Sequence, residues 1–188
     1  LLADGLALGA VYALVALGFV VIFRATGVIN FAQGGLVVFG AFLVYQAQNT
    51  WNWFGGGSTW PGFITSALFS IACVAAIGAA FESLVLRRMI GQPIFAIILI
   101  TIGLFLLVEP ITTTIWHNPP GGIQTPWGTN TVSVGDVNIL QVNIATVVLG
   151  ALVMGGFFLL FQYTKVGIGM RATAVDQEAA LAQGISVR

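Results

Sequence analysis

The chain has 188 residues, of which 58% are hydrophobic and only 6% charged, with six basic and six acidic side chains in balance. A soluble domain carries about 25% charged residues, so a water-soluble globule is excluded. Zero net charge removes the electrostatic case for nucleic acid. The apolar segments are continuous rather than alternating, which predicts an all-α, polytopic transmembrane helix bundle.

Residues 1–23 are apolar except for Asp4 and long enough to span, since a crossing needs about 20 residues. Gly5, Gly9 and Ala13 recur at four-residue spacing and form a small-residue stripe that suits close helix packing. Residues 24–35 read RATGVINFAQGG, polar and glycine-rich between two apolar runs. The second run, residues 36–47, is too short to span as a complete helix, so a broken or short helix is expected near 24–47. Irregular backbone at membrane depth is tolerated where it is buried in protein or lines a cavity. Asn30, Gln33 and Gly34 would then border a pathway, and a helix restarting near Gly34 would turn free N–H groups inward, toward a carboxylate. The competing reading is a tight turn between two ordinary spans, with Asn30 and Gln33 as caps.

Residues 46–61 form a polar loop whose Trp51, Trp53 and Trp60 suit an interfacial belt. A third span covers 62–86, with Glu82 in reach of Arg87 and the Arg87–Arg88 pair as an inside anchor. A fourth, 94–116, carries Thr101, Gly103, Glu109 beside Pro110, and threonines at 112–114. An intramembrane carboxylate usually faces the bundle interior or water. Thr101 and Glu109 are therefore candidates for the path, although hydroxyls in such helices often bond only their own backbone, and Glu109 could instead reach the headgroups. Residues 117–143 are a long polar loop in which VSVGDV can form a small hairpin or an extended lip. A fifth span follows at 144–163.

The tail, residues 164–188, holds five of the charged side chains. Asp176 can cap a short helix that Gly184 closes, with Ala179, Ala180 and Ala182 allowing close approach and Leu181 as an anchor. So short a helix must dock on something, because nucleation is costly. The chain thus divides into a transmembrane domain, 1–163, and a cytoplasmic coupling loop, 164–188. Arg24, the Arg87–Arg88 pair, and Lys165 with Arg171 are separated by pairs of crossings, which places the N-terminus outside and the tail in the cytoplasm. One cysteine, Cys73, and one histidine, His117, leave no disulfide and little support for metal or His-dependent catalysis. No basic n-region precedes the first apolar run, so no cleavable signal peptide is expected, whereas truncation at both ends is.

The run GLALGAVYALVALGFVVIFRATGVINFAQGGLVVFGAF resembles the start of the branched-chain amino acid ABC importer permeases, the LivH type. Asn30-Phe31-Ala32-Gln33-Gly34 occupies that family's N-F-A-H-G-like motif, with Gln where His is often found. FESLVLRRMIGQPIFAIILITIGLFLL is similar to its connection between third and fourth helices, and GIGMRATAVDQEAALAQGI to its cytoplasmic loop. Glu178-Ala179-Ala180 with Gly184 fits the E-A-A-x-x-x-G pattern of importer permeases.

The resemblance implies a non-enzymatic transport subunit without cofactor, in a bacterial or archaeal cytoplasmic membrane. It implies an ATP-binding-cassette ATPase subunit, a second permease subunit, identical or homologous, a solute-binding protein, and surrounding lipid as partners. Arg171, Asp176, Glu178, Ala179, Ala180, Leu181 and Gly184 would form the contact with the ATPase, and ATP would be hydrolysed there, since this chain has no phosphate-binding Gly-Lys-Ser/Thr loop. Family members are longer, so about the last third would be missing here. Two other functions remain open: a permease for urea, amides or another small polar solute, and an ion-coupled carrier or channel using Glu109.

Overall fold

A computed structural model describes residues 2–89, 92–116, 122–134, 137–164, 167 and 169. Five long helices dominate: α1 (Leu2–Thr26), α2 (Ala32–Asn49), α3 (Trp60–Leu84), α4 (Ile94–Ile115) and α5 (Gln141–Tyr163). Four stretches among the described residues are long and apolar enough to cross a membrane: Leu2–Arg24, Trp60–Met89, Ile94–Ile115 and Gln141–Tyr163. The protein is an all-α, multi-pass membrane protein. α2, at 18 residues, reaches about 27 Å but carries polar residues at both ends.

The chain groups into two compact units. The first comprises Leu1–Ile29 with Asn130–Arg188, and the second Asn30–Thr129. In the first, α1 and α5 run parallel. Asn143 Nδ2 donates to Asp4 Oδ1 at 2.6 Å near the start of both helices. Further along, a Cβ added at Gly150 would meet Ala10 Cβ at 3.4 Å and Leu14 Cδ1 at 3.8 Å. The expected hairpin is present as β1 (Thr131–Val134) and β2 (Val137–Leu140), antiparallel with Thr131 opposite Leu140. Its base is closed by the Gln141 N–H donating to Asn130 O at 2.9 Å.

In the second unit α2 packs on both α3 and α4. Against α3 it is antiparallel: Ser70 donates to Gly40 O at 2.7 Å, and Gln48 Nε2 to Ser66 Oγ at 3.3 Å. Against α4 it is parallel, from Phe31 beside Thr101 to Gln46 beside Trp116. α3 begins with Thr59, whose side chain accepts from the Gly62 N–H at 3.2 Å, and with Pro61 in the first turn, where no donor is lost. The preceding turn, Trp53–Ser58, folds onto that start so tightly that a Cβ at Gly62 would meet Trp53 O at 2.7 Å and would collide with Gly56 O. The tryptophans expected at an interface gather here: Trp51 and Trp53 stack at 5.2 Å, and Trp60 meets Trp127 edge-on at 5.4 Å.

At the other end of α3, Glu82 and Arg87 form the anticipated ion pair at 3.0 Å, with both side chains at least half exposed. Exposed pairs of this kind contribute about 0–1 kcal/mol. The second and third helices start earlier than the apolar runs suggest. α2 extends to Asn49 because Gln46 and Gln48 find partners in the bundle rather than in water.

Candidate functional site

Helix is interrupted between α1 and α2, as both readings of the polar stretch expect. α1 ends at Thr26, Gly27 takes a left-handed φ of +71°, and its N–H bonds Phe23 O at 2.8 Å, a termination that glycine permits without penalty. Helix resumes at Ala32, before Gly34 and Gly35 rather than at them. Its position beside α4 shows how deep that restart lies. Phe31 is level with Thr101, which stands seven residues into α4, roughly 10 Å from its first residue. Residues 94–100 of α4, IFAIILI, are wholly apolar. The new helix therefore begins one to two turns inside its hydrophobic neighbour.

A helix start leaves its first N–H groups without intrahelical acceptors. Here the protein supplies several. The Phe31 N–H donates to Thr101 Oγ1 at 3.3 Å, and the Ala32 N–H to Asn30 Oδ1 at 3.0 Å. The Gln33 N–H points to Asn30 O at 3.4 Å. The expectation of free N–H groups turned toward a carboxylate is corrected for these three positions, because side chains and a local turn already engage them. What this arrangement offers instead is a helix start carrying two half-buried amide side chains, Asn30 and Gln33.

Glycine brings the bend onto α4. A Cβ at Gly34 would sit 3.6 Å from the Phe105 ring, an ordinary contact, whereas one at Gly35 would be 3.3 Å from Phe105 and 3.4 Å from Val108. Asn30, Gln33, Gly34 and Thr101 are thus brought together. Glu109 is not. It is exposed on α4, eight residues beyond Thr101 and so roughly 12 Å further along the axis. Thr112 and Thr113 bond carbonyls of their own helix, Val108 O at 2.7 Å and Glu109 O at 3.2 Å, so they take no part in the site. Arg171, Asp176, Glu178, Ala179, Ala180, Leu181 and Gly184 lie outside the described residues.

Other polar residues that hold this unit together escaped sequence reasoning. Gln48, at 2% exposure, links Ser66 to the Gln124 N–H, which it accepts at 3.1 Å. Trp116 Nε1 donates to Gln46 Oε1 at 2.8 Å. The available signal was the spacing of Gln46 and Gln48 directly after an apolar run, but the same letters also read as the start of a loop.

A family model described as branched-chain amino acid transport system, permease component, matches residues 1–188. The high-affinity branched-chain amino acid transport system permease protein BraD of Pseudomonas aeruginosa is 26% identical over 189 residues, covering 98% of this chain and 62% of that protein. The corresponding permease protein LivH of Salmonella typhimurium is 20% identical over 187 residues, covering 97% of this chain and 61% of the relative. LivH of Escherichia coli K12 is 21% identical over 188 residues, with the same coverage of 97% and 61%. The chain therefore spans 61–62% of the length of these relatives. No solved structure matches it. The family match takes in the helix break, both helical units and the tail alike, and the chain belongs to the branched-chain amino acid transport system permease component family.

Proposed function

We propose that this chain is part of the membrane subunit of an ATP-binding-cassette importer for branched-chain amino acids. The observation that carries the reading is the family match along residues 1–188. The break before α2 supports it physically: a helix that begins at membrane depth needs protein or a cavity around it, and this one presents Asn30 and Gln33 at that level. Asn30, Gln33 and Gly34 border the path, with Thr101 behind them. Glu109 is a separate group further along α4.

The direction of the helices supports five crossings. α1 and α5 are parallel, so the chain must cross an odd number of times between them. α3 and α4 account for two of these, and α2, parallel to α4 and aligned with it up to Trp116, supplies the third. With Arg24, Arg87, Arg88, Lys165 and Arg171 on the inner side, the N-terminus faces outward and residues 164–188 face the cytoplasm. There Arg171, Asp176, Glu178, Ala179, Ala180, Leu181 and Gly184 meet an ATPase subunit. ATP-driven closure of the ATPase moves this segment, and α5 passes the motion into the bundle. A second permease subunit and a solute-binding protein complete the importer.

The test uses the full-length protein, co-expressed with an ATP-binding subunit and a solute-binding protein and reconstituted in vesicles. Leucine, isoleucine or valine should stimulate ATP hydrolysis and be taken up. Stimulation by urea or amides alone would replace the substrate class. Uptake driven by an ion gradient without ATP would overturn the importer reading. Cysteine at position 30 or 33, in a Cys73→Ser background, should react with a water-soluble thiol reagent in at least one transport state. No reaction in any state would remove the break from the path.

A further inference from the structure

Most hydroxyls in these helices bond only the turn beneath them. Thr112 and Thr146 each donate to a carbonyl four residues back. Thr101 does more. Its Oγ1 donates its single proton to Ile98 O at 2.8 Å, and with a remaining lone pair it accepts the Phe31 N–H at 3.3 Å, from a residue 70 positions away. It is 1% exposed. The amide it satisfies opens the bend, and the next residue's N–H is held by Asn30 Oδ1. The placement of Asn30 is therefore tied to that of Phe31. One turn on, Gly35 holds α2 close against Phe105 and Val108, so the segment has little room to find another acceptor.

We propose that Thr101 is a positioning residue. By accepting the Phe31 amide proton it fixes the register of the bend on α4, and with it the direction in which Asn30 and Gln33 meet the substrate. This rests on the reading of the bend as part of the path. Substrate is not touched by Thr101 itself. Losing its oxygen removes the acceptor of the Phe31 amide in a part-buried bond, which allows the bend to shift and misplaces both side chains.

The experiment compares Thr101→Val, which keeps the shape and removes the acceptor, with Thr101→Ser, which keeps the acceptor, in the full-length reconstituted complex. Leucine-stimulated ATP hydrolysis and amide hydrogen exchange over residues 29–34 are both measured. In Thr101→Val the half-saturating leucine concentration should rise about fivefold, the size expected of one part-buried bond lost, with the maximal rate nearly unchanged. Exchange at the bend should accelerate. Thr101→Ser should match the unsubstituted protein in both measurements. If Thr101→Val prevents assembly, Thr101→Ala serves the same comparison.

Equal behaviour of Val and Ser variants would overturn the proposal, whether both are normal or both impaired, since the oxygen would then not matter. Faster exchange with unchanged half-saturation would also overturn it, because the bond would have no bearing on recognition. Failure of the unsubstituted complex to respond to leucine would instead remove the proposed function, while the exchange contrast between Val and Ser would still decide the bond.

Discussion

Replacing Gln48 by leucine isolates one buried polar link at the far end of α2. Gln48 accepts the Gln124 N–H at 3.1 Å and donates to Ser66 Oγ at 3.3 Å. Leucine has similar volume and makes neither bond. Ser66 keeps its own donor bond, to Gly62 O at 2.8 Å, so it loses only an incoming contact. The Gln124 N–H loses its acceptor, and an unpaired buried donor costs about 1–3 kcal/mol. Because Gln124 is exposed and its bond to Gln48 only part-buried, the lower part of the range applies, about 1.5 kcal/mol, or roughly tenfold in an equilibrium constant. The segment released is the one carrying half-buried Trp127, which packs on Trp60 and Phe63. Limited chymotrypsin digestion reads this directly, since cleavage tracks the open population when opening and closing are fast. Cleavage at Trp127 should quicken about tenfold in Gln48→Leu. Asn49→Ala, which removes two exposed bonds, one accepted from Gln124 Nε2 at 3.3 Å and one donated to Tyr45 O at 3.1 Å, should stay within about twofold. A Gln48→Leu protein cut at the unsubstituted rate would refute the argument that Gln48 closes this end of the unit.

The glycines separate into two classes by what surrounds them. Gly35→Val should lower the thermal midpoint of the purified protein, through overpacking worth about 1–3 kcal/mol against Phe105 and Val108. Gly9→Ala, with nothing within 4 Å, should leave the midpoint unchanged or raise it, alanine being the better helix former. Glu109→Gln should leave ATP-driven uptake within about twofold, a loss below 0.5 kcal/mol, because Glu109 is exposed and removed from the bend; abolished uptake would restore it as a coupling group. Ala180→Trp should allow membrane insertion but separate ATP hydrolysis from uptake, and normal uptake by a well-expressed variant would dismiss the docking surface.

Helix existence was legible because a membrane-spanning helix declares itself by uninterrupted apolar length. Thr59 and Pro61 carry a local start signal for α3 that the reading of residues 46–61 as a loop passed over. The ion pair of Glu82 with Arg87 was readable from spacing alone. What could not be read was which polar side chains find partners far along the chain. Asp4 meets Asn143 across 139 positions, and Gln48 meets Gln124 across 76. Such partners are set by how helices pair, and no local periodicity encodes that. The bend illustrates the same limit. Its glycine and amide content revealed a discontinuity and a local cap at Asn30, whereas the engagement of the Phe31 amide by Thr101 depended on α4 lying alongside.

That pairing also explains why α2 is the least hydrophobic of the five helices. A helix facing lipid on most sides must be apolar almost throughout, as α4 is over residues 94–100. α2 lies against α3 on one side and α4 on another, so much of its surface meets protein. Small residues then serve it better than large ones: Gly40 approaches Ser70 and Val74, and Gly35 approaches Phe105. Polar ends are affordable for the same reason, since Gln46, Gln48 and the amide of Phe31 each find a partner on a neighbouring segment. The low hydropathy that weakens α2 as a span in isolation is thus the composition of an inner helix. A bend that must sit at membrane depth without exposing its backbone to lipid belongs on such a helix.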